Sequence, residues 1–166
     1  MRTRMPDPGV FRNASRLLTV TVVAIALDAA AQTAPIDFSS AWMRPATAGQ
    51  ARARAYVDIK SDAALTLMGA TTPVARAVEF VMASGTDGAE ETVVATVQVA
   101  PGAPTRLAFR GNHLRLLDIN RDLWNGEQFP VTLRFADARG AAIDATATVV
   151  VRGFTVRPAE SDPRRP

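Results

Sequence analysis

Ala51-Arg52-Ala53-Arg54-Ala55-Tyr56-Val57-Asp58-Ile59-Lys60 changes character at nearly every step. Ala53, Ala55, Val57 and Ile59 fall on one face, and Arg52, Arg54, Tyr56 and Asp58 on the other. A period of two is the signature of a half-buried strand, because successive side chains of an extended chain point to opposite sides. The same rhythm returns at Phe129, Val131, Leu133 and Phe135, with Pro130, Thr132, Arg134 and Ala136 between them. Pro130 has no N–H to give to a ladder, so that strand is expected to begin at a sheet edge.

Working outward, further strands are expected at Ile36–Arg44, Leu65–Thr71, Val78–Met82, Thr92–Val99, Thr105–Phe109, His113–Leu117 and Ala145–Thr155. Turn-forming pairs separate them: Ser61-Asp62, Thr72-Pro73, Gly85 to Gly88, Pro101-Gly102, Gly111-Asn112, Asn125-Gly126 and Arg139-Gly140. Asp122 to Trp124 is expected to form one helical turn. Many short strands with turns at this spacing predict an all-β antiparallel sandwich.

The N-terminus reads differently. Arg2, Arg4, Arg12 and Arg16 precede an apolar run from Leu17 to Leu27, and Ala29-Ala30-Ala31 follows it. That is the layout of a secretory signal peptide over residues 1–31, too short in its apolar part to span a bilayer. An uncleaved anchor or a buried helix is the alternative. The remaining domain is expected over residues 32–156, with a charged, Pro-rich disordered tail at 157–166. The predicted location is the periplasm, with no membrane association after cleavage.

Composition narrows the chemistry. There is no cysteine and one histidine, His113. Cys/His zinc modules and cysteine nucleophiles are therefore excluded, and a Ser–His pair could use only His113. The high isoelectric point is not a nucleic-acid signal. Without residues 1–31 the 19 basic and 16 acidic residues become 15 and 14, about +1, and no basic stretch is dense enough to track phosphates.

Taken in order, several segments resemble the periplasmic copper chaperones of the PCu(A)C family. They are Ala41-Trp42-Met43-Arg44-Pro45, Ala55-Tyr56-Val57, Leu67 to Ala75 (LMGATTPVA), Val78-Glu79-Phe80, the passage from Pro101-Gly102 to Gly111-Asn112-His113-Leu114, and Gly126 to Leu133 (GEQFPVTL). Together they cover roughly residues 40 to 151. The resemblance implies a cupredoxin-like, antiparallel Greek-key β-sandwich holding Cu(I), or both copper states, between loops at one end. It also implies a partner, a copper acceptor such as cytochrome oxidase. The family's ligands are a His after V-E-L, a Met about eleven residues on, and a His-x-Met pair some twenty-two residues beyond. Carried over by position, Val81 stands at the first His, Glu91 at the Met, His113 at the second His and Arg115 at the last Met. Leu117 replaces a further Met often found there.

One matching donor remains, and Arg115 brings a cation beside it. The candidate metal set is therefore His113, Met82 and Glu91. Met82 is displaced by one residue from the first His position and could turn inward only at a bulge. Glu91 is a hard donor better suited to Cu(II) than to Cu(I). The competing reading is an Arg115–Glu91 salt bridge filling an emptied site. Met43 and Met68 are expected to be core residues, and Trp42 and Trp124 packing anchors. Two functions follow: an exported copper chaperone with a degraded site, or a metal-free interaction or assembly module on the same fold. An enzyme is disfavoured, since carboxylates such as Asp118 and Asp122 have no evident common pocket.

Overall fold

The computed structural model describes residues 35–84 and 89–153. The expected signal peptide, the expected tail and the turn at Gly85 to Gly88 lie outside them. Among the described residues there are ten strands and no helix: β1 Ile36–Met43, β2 Arg52–Ser61, β3 Leu65–Thr71, β4 Ala75–Ser84, β5 Glu90–Val94, β6 Val97–Val99, β7 Thr105–Leu107, β8 His113–Ile119, β9 Gln128–Ala136 and β10 Ala142–Val151.

Hydrogen bonding links them in the order β5-β4-β8-β2-β1-β10-β9-β3-β6, with β7 added to β2. All pairs are antiparallel except β1 with β10. The continuous sheet folds over on itself into two layers, β5-β4-β8-β2 and β10-β9-β3-β6, joined through β1. Strand β1 can serve both layers because its pairing with β2 shifts register between Ser39 and Trp42, where Ser40 takes a positive φ of 51°. A bulge of this kind turns a strand.

The alternation read from the sequence is what fills the interior. Ala53, Ala55, Val57 and Ile59 of β2 are buried, as are Phe129, Val131, Leu133 and Phe135 of β9. Leu114 and Leu116 of β8 and Phe80 of β4 complete the facing side. Phe38 of β1 stacks on Phe135 with ring centroids 6.5 Å apart.

Four local expectations are corrected. Thr92–Val99 is two strands, not one. The chain breaks at Ala95-Thr96, pairing β5 with β4 in one layer and β6 with β3 in the other. Asp122 to Trp124 is no helical turn, because Leu123 is buried and exchanges backbone hydrogen bonds with Ala46 at 2.8 and 3.2 Å. Met68 is not core. It is the extra residue where β3 shifts register against β9 between Leu67 and Gly69, and it is 54% exposed. Strand β9 is interior, and Pro130 pairs with Thr148 of β10 but sits beyond the end of the β3 ladder on its other side. Its carbonyl accepts from Thr72 Oγ1 at 2.9 Å, past the last β3–β9 pair, Thr71 with Thr132. In a strand the N–H side of a residue is also its C=O side, so the missing donor faces that same open position.

Phe135→Ala should destabilise the domain by about 3–5 kcal/mol, whereas Met68→Ala should stay within about 0.5 kcal/mol. Urea unfolding midpoints of the two variants check this. Equal losses would contradict the layer assignment.

Candidate functional site

The resemblance points to the face of β4, β8 and β2 that looks away from the core. Cross-strand partners share a face. Val81 pairs with His113, Glu79 with Arg115, and Arg115 with Arg54, so all five lie on this outer side. Glu91 belongs to the same side through its partner Ala83.

Two guanidiniums directly opposed across β2 and β8 would repel. Glu91 answers both: Oε1 accepts from Arg54 Nη2 at 2.5 Å and Oε2 from Arg115 Nη2 at 2.6 Å. Arg115 Nη1 also donates to Glu79 Oε2 at 3.4 Å. Burial by itself would raise the Glu91 carboxyl, but the Arg115 hydrogen bond, with the charges of Arg54, His113 and Arg115, outweighs it and holds the group below its ordinary 4.5.

His113 lies beneath this network and is only 2% exposed. Its Nδ1 is 2.9 Å from the Gly111 carbonyl oxygen. A carbonyl only accepts, so Nδ1 carries a hydrogen and donates it, which leaves Nε2 as the ring nitrogen with no partner fixed by that bond. That Nε2 is buried with no hydrogen-bond partner, 4.0 Å from Glu91 Oε1. Asn112 fixes the loop just before it, accepting from the Ala83 backbone N–H at 3.0 Å. The preceding turn closes by Gly111 N–H donating to Ala108 C=O at 3.0 Å and holds Arg110 at φ 63°. That is a costly conformation for a residue with a Cβ.

Aromatic rings wall the other side. Tyr56 packs on Trp42 at 4.7 Å, meets Phe109 edge-on at 6.0 Å and approaches the His113 ring at 6.4 Å. Phe109 is 48% exposed and carries the Arg44 guanidinium 5.3 Å from its centroid. Burial raises the Tyr56 hydroxyl above its ordinary 10.0 despite Arg54 and Arg44, so it stays neutral.

Of the three expected ligands, the structure brings His113 and Glu91 together and leaves Met82 apart. Met82 pairs with Thr92, on the opposite face from Val81 and His113, and is 37% exposed. Pairing from Phe80–Val94 to Ser84–Glu90 runs without a register shift, so no bulge turns it inward. Met43 is sealed in the core and Met68 lies in the other layer. Among the described residues no thioether reaches His113, and no group of three or more His, Cys, Asp or Glu could hold a metal ion. A free imidazole nitrogen is a fitting copper donor, but one nitrogen beside two guanidiniums and a carboxylate already bound to both is not a Cu(I) site.

The residues missed from sequence are Arg54, Tyr56, Glu79 and Phe109. Arg52-Ala53-Arg54 marked a polar face, but which strand opposes it depends on register that the segment does not carry.

This sandwich and its altered ligand row define a class, and comparison with known proteins gives it a family. A model described as LpqE-like, which carries a lipoprotein name, matches residues 36–149, and the chain belongs to that family. Lxx21020 of Leifsonia xyli subsp. xyli, also bearing a lipoprotein name, is 30% identical over 133 residues, 75% of this chain and 79% of its own length. Among solved structures, the copper-bound PCuAC domain from PmoF2 matches with a TM-score of 0.57 at 22% identity, covering 72% of this chain and 93% of that one. Cu(I)-bound DR1885 from Deinococcus radiodurans matches at 0.50 and 24% identity, covering 76% and 85%. The fold is the cupredoxin-like β-sandwich of PCuAC domains, and the chain is a divergent member in its metal ligands.

Glu91→Gln should cost about 1–2 kcal/mol at pH 7, where it leaves opposed guanidiniums uncompensated. The sign with pH follows from the lowered carboxyl: its stabilisation is present above the ordinary 4.5 and fades as pH falls through the lower folded value. The gap in urea midpoint between wild type and variant should therefore be present at pH 7 and narrow as the pH is taken below 4.5. A gap that is absent at pH 7, or that widens on acidification, would contradict the network.

Proposed function

We propose that this chain is an exported, metal-free binding domain built on the copper-chaperone scaffold, with an ion-pair network standing where the copper donors would be. The observation that carries this is the Glu91 carboxylate clamped by Arg54 and Arg115 over the buried His113 ring. Every exchange runs against a soft cation: a carboxylate at the expected Met position, a guanidinium at the next, an aliphatic Val81 opposite His113. Export is supported by the basic and apolar N-terminal segment and by the lipoprotein names among relatives. No helix among the described residues is long and apolar enough to cross a membrane. Binding rather than catalysis is supported by His113 itself, whose Nδ1 hydrogen bond goes to a backbone carbonyl rather than to any nucleophile.

A second reading keeps copper as cargo. The orphaned Nε2 of His113, with Glu91 nearby, favours weak Cu(II) capture and passage to an acceptor such as cytochrome oxidase. It requires Glu91 to leave both arginines.

Competition titration with a Cu(I) chelator separates the two. Wild type is expected to take no stoichiometric Cu(I), and His113→Ala should behave identically. Val81→His/Glu91→Met/Arg115→Met, which rebuilds the donor row, should acquire one equivalent. Tight copper uptake by wild type that is lost in His113→Ala would overturn the metal-free reading, and Cu(II) uptake with the same loss would establish the second.

A further inference from the structure

We propose that the cleft flanking the Glu91 network binds a small organic polyanion, a molecule bearing two or three carboxylate or phosphate groups; this rests on the metal-free reading and names the ligand class of that site. The cleft has a volume of about 430 Å³ and is walled by Arg44, Arg52, Arg54 and Arg115, with Tyr56 and Phe109 along one side. That size suits a small metabolite rather than a macromolecule.

Charge decides the sign of the occupant. Four guanidiniums and one carboxylate, Glu91, line the space, giving a local +3, or +2 when the neighbouring Glu79 is included. Arg76, Arg121 and Arg134 each pair with a carboxylate of their own, Asp118, Glu127 and Asp144. In the cleft one carboxylate, Glu91, is shared by Arg54 and Arg115. Arg52 has no carboxylate partner among the described residues, and Arg44 rests on the Phe109 ring rather than on an acid. Arg52 and Arg54 project from the same face of β2, two residues apart, and Arg115 stands opposite Arg54 on β8. Guanidinium forks arranged side by side suit the paired oxygens of carboxylate and phosphate. The same field repels cations, which is why this ligand class and copper are alternatives and not companions.

The test is titration of the metal-free protein, in a buffer without phosphate at low salt, with citrate and separately with inorganic pyrophosphate. At least one should bind at one equivalent with a dissociation constant below about 1 mM. Arg52→Ala should weaken it about tenfold or more, the loss of one charge-assisted fork, without a change in melting temperature. Arg44→Ala serves as the second variant. Binding of citrate alone assigns carboxylate, and of pyrophosphate alone assigns phosphate. If neither binds, or if both arginine variants bind as wild type does, the proposal is overturned. Failure of both anions in a protein that also ignores copper removes this inference and leaves the metal-free reading standing. Stoichiometric copper uptake removes that reading first.

Discussion

Arg54 and Arg115 face each other on adjacent strands, and the carboxylate of Glu91 is what allows them to. Each of its oxygens serves a different guanidinium, at 2.5 and 2.6 Å. The contact spans the width of the β5-β4-β8-β2 layer, so it also ties the outermost strand to the interior of the sheet. Under it lie Val81 and His113, buried although they sit on the side away from the core. Without that cover an unpartnered imidazole nitrogen and an aliphatic side chain would open to water. The site is thus a second, small, partly polar core laid on the back of one sheet.

The fold and the site part company in what holds them. The sandwich rests on apolar alternation, which tolerates exchange of one hydrophobic residue for another of similar size. A copper site rests on donor identity, where a single change of Met to Arg reverses the sign of the local field. The chain therefore shares the layered sandwich of the PCuAC domains, and its outer row carries paired charges. His113 persists with its Nδ1 anchored to Gly111, the arrangement that orients a ligating ring. Here that geometry serves packing against Tyr56.

The sandwich was readable from the alternation in β2 and β9, because a period of two is local information. What failed was what depends on partners. The split of Thr92–Val99 is set by two different neighbours, and the bulge that expels Met68 exists only against β9. At the site, His113 and Glu91 were legible by position, and the regular β4–β5 pairing explains why Met82 did not join them. Arg54 and Phe109 were not legible as site residues. Arg54 enters through the register of β2 against β8, and Phe109 through a turn whose Arg110 adopts a conformation no sequence rule assigns to arginine.

The most direct measurement is a double-mutant cycle between Glu91 and Arg115, reading unfolding free energies of Glu91→Ala, Arg115→Ala and the double variant at pH 7. The partly buried, charge-assisted contact predicts a coupling of about 1 kcal/mol or more. Losses that add to within about 0.3 kcal/mol would show that the two residues do not act on each other, and the ion-pair network would not be what fills the site.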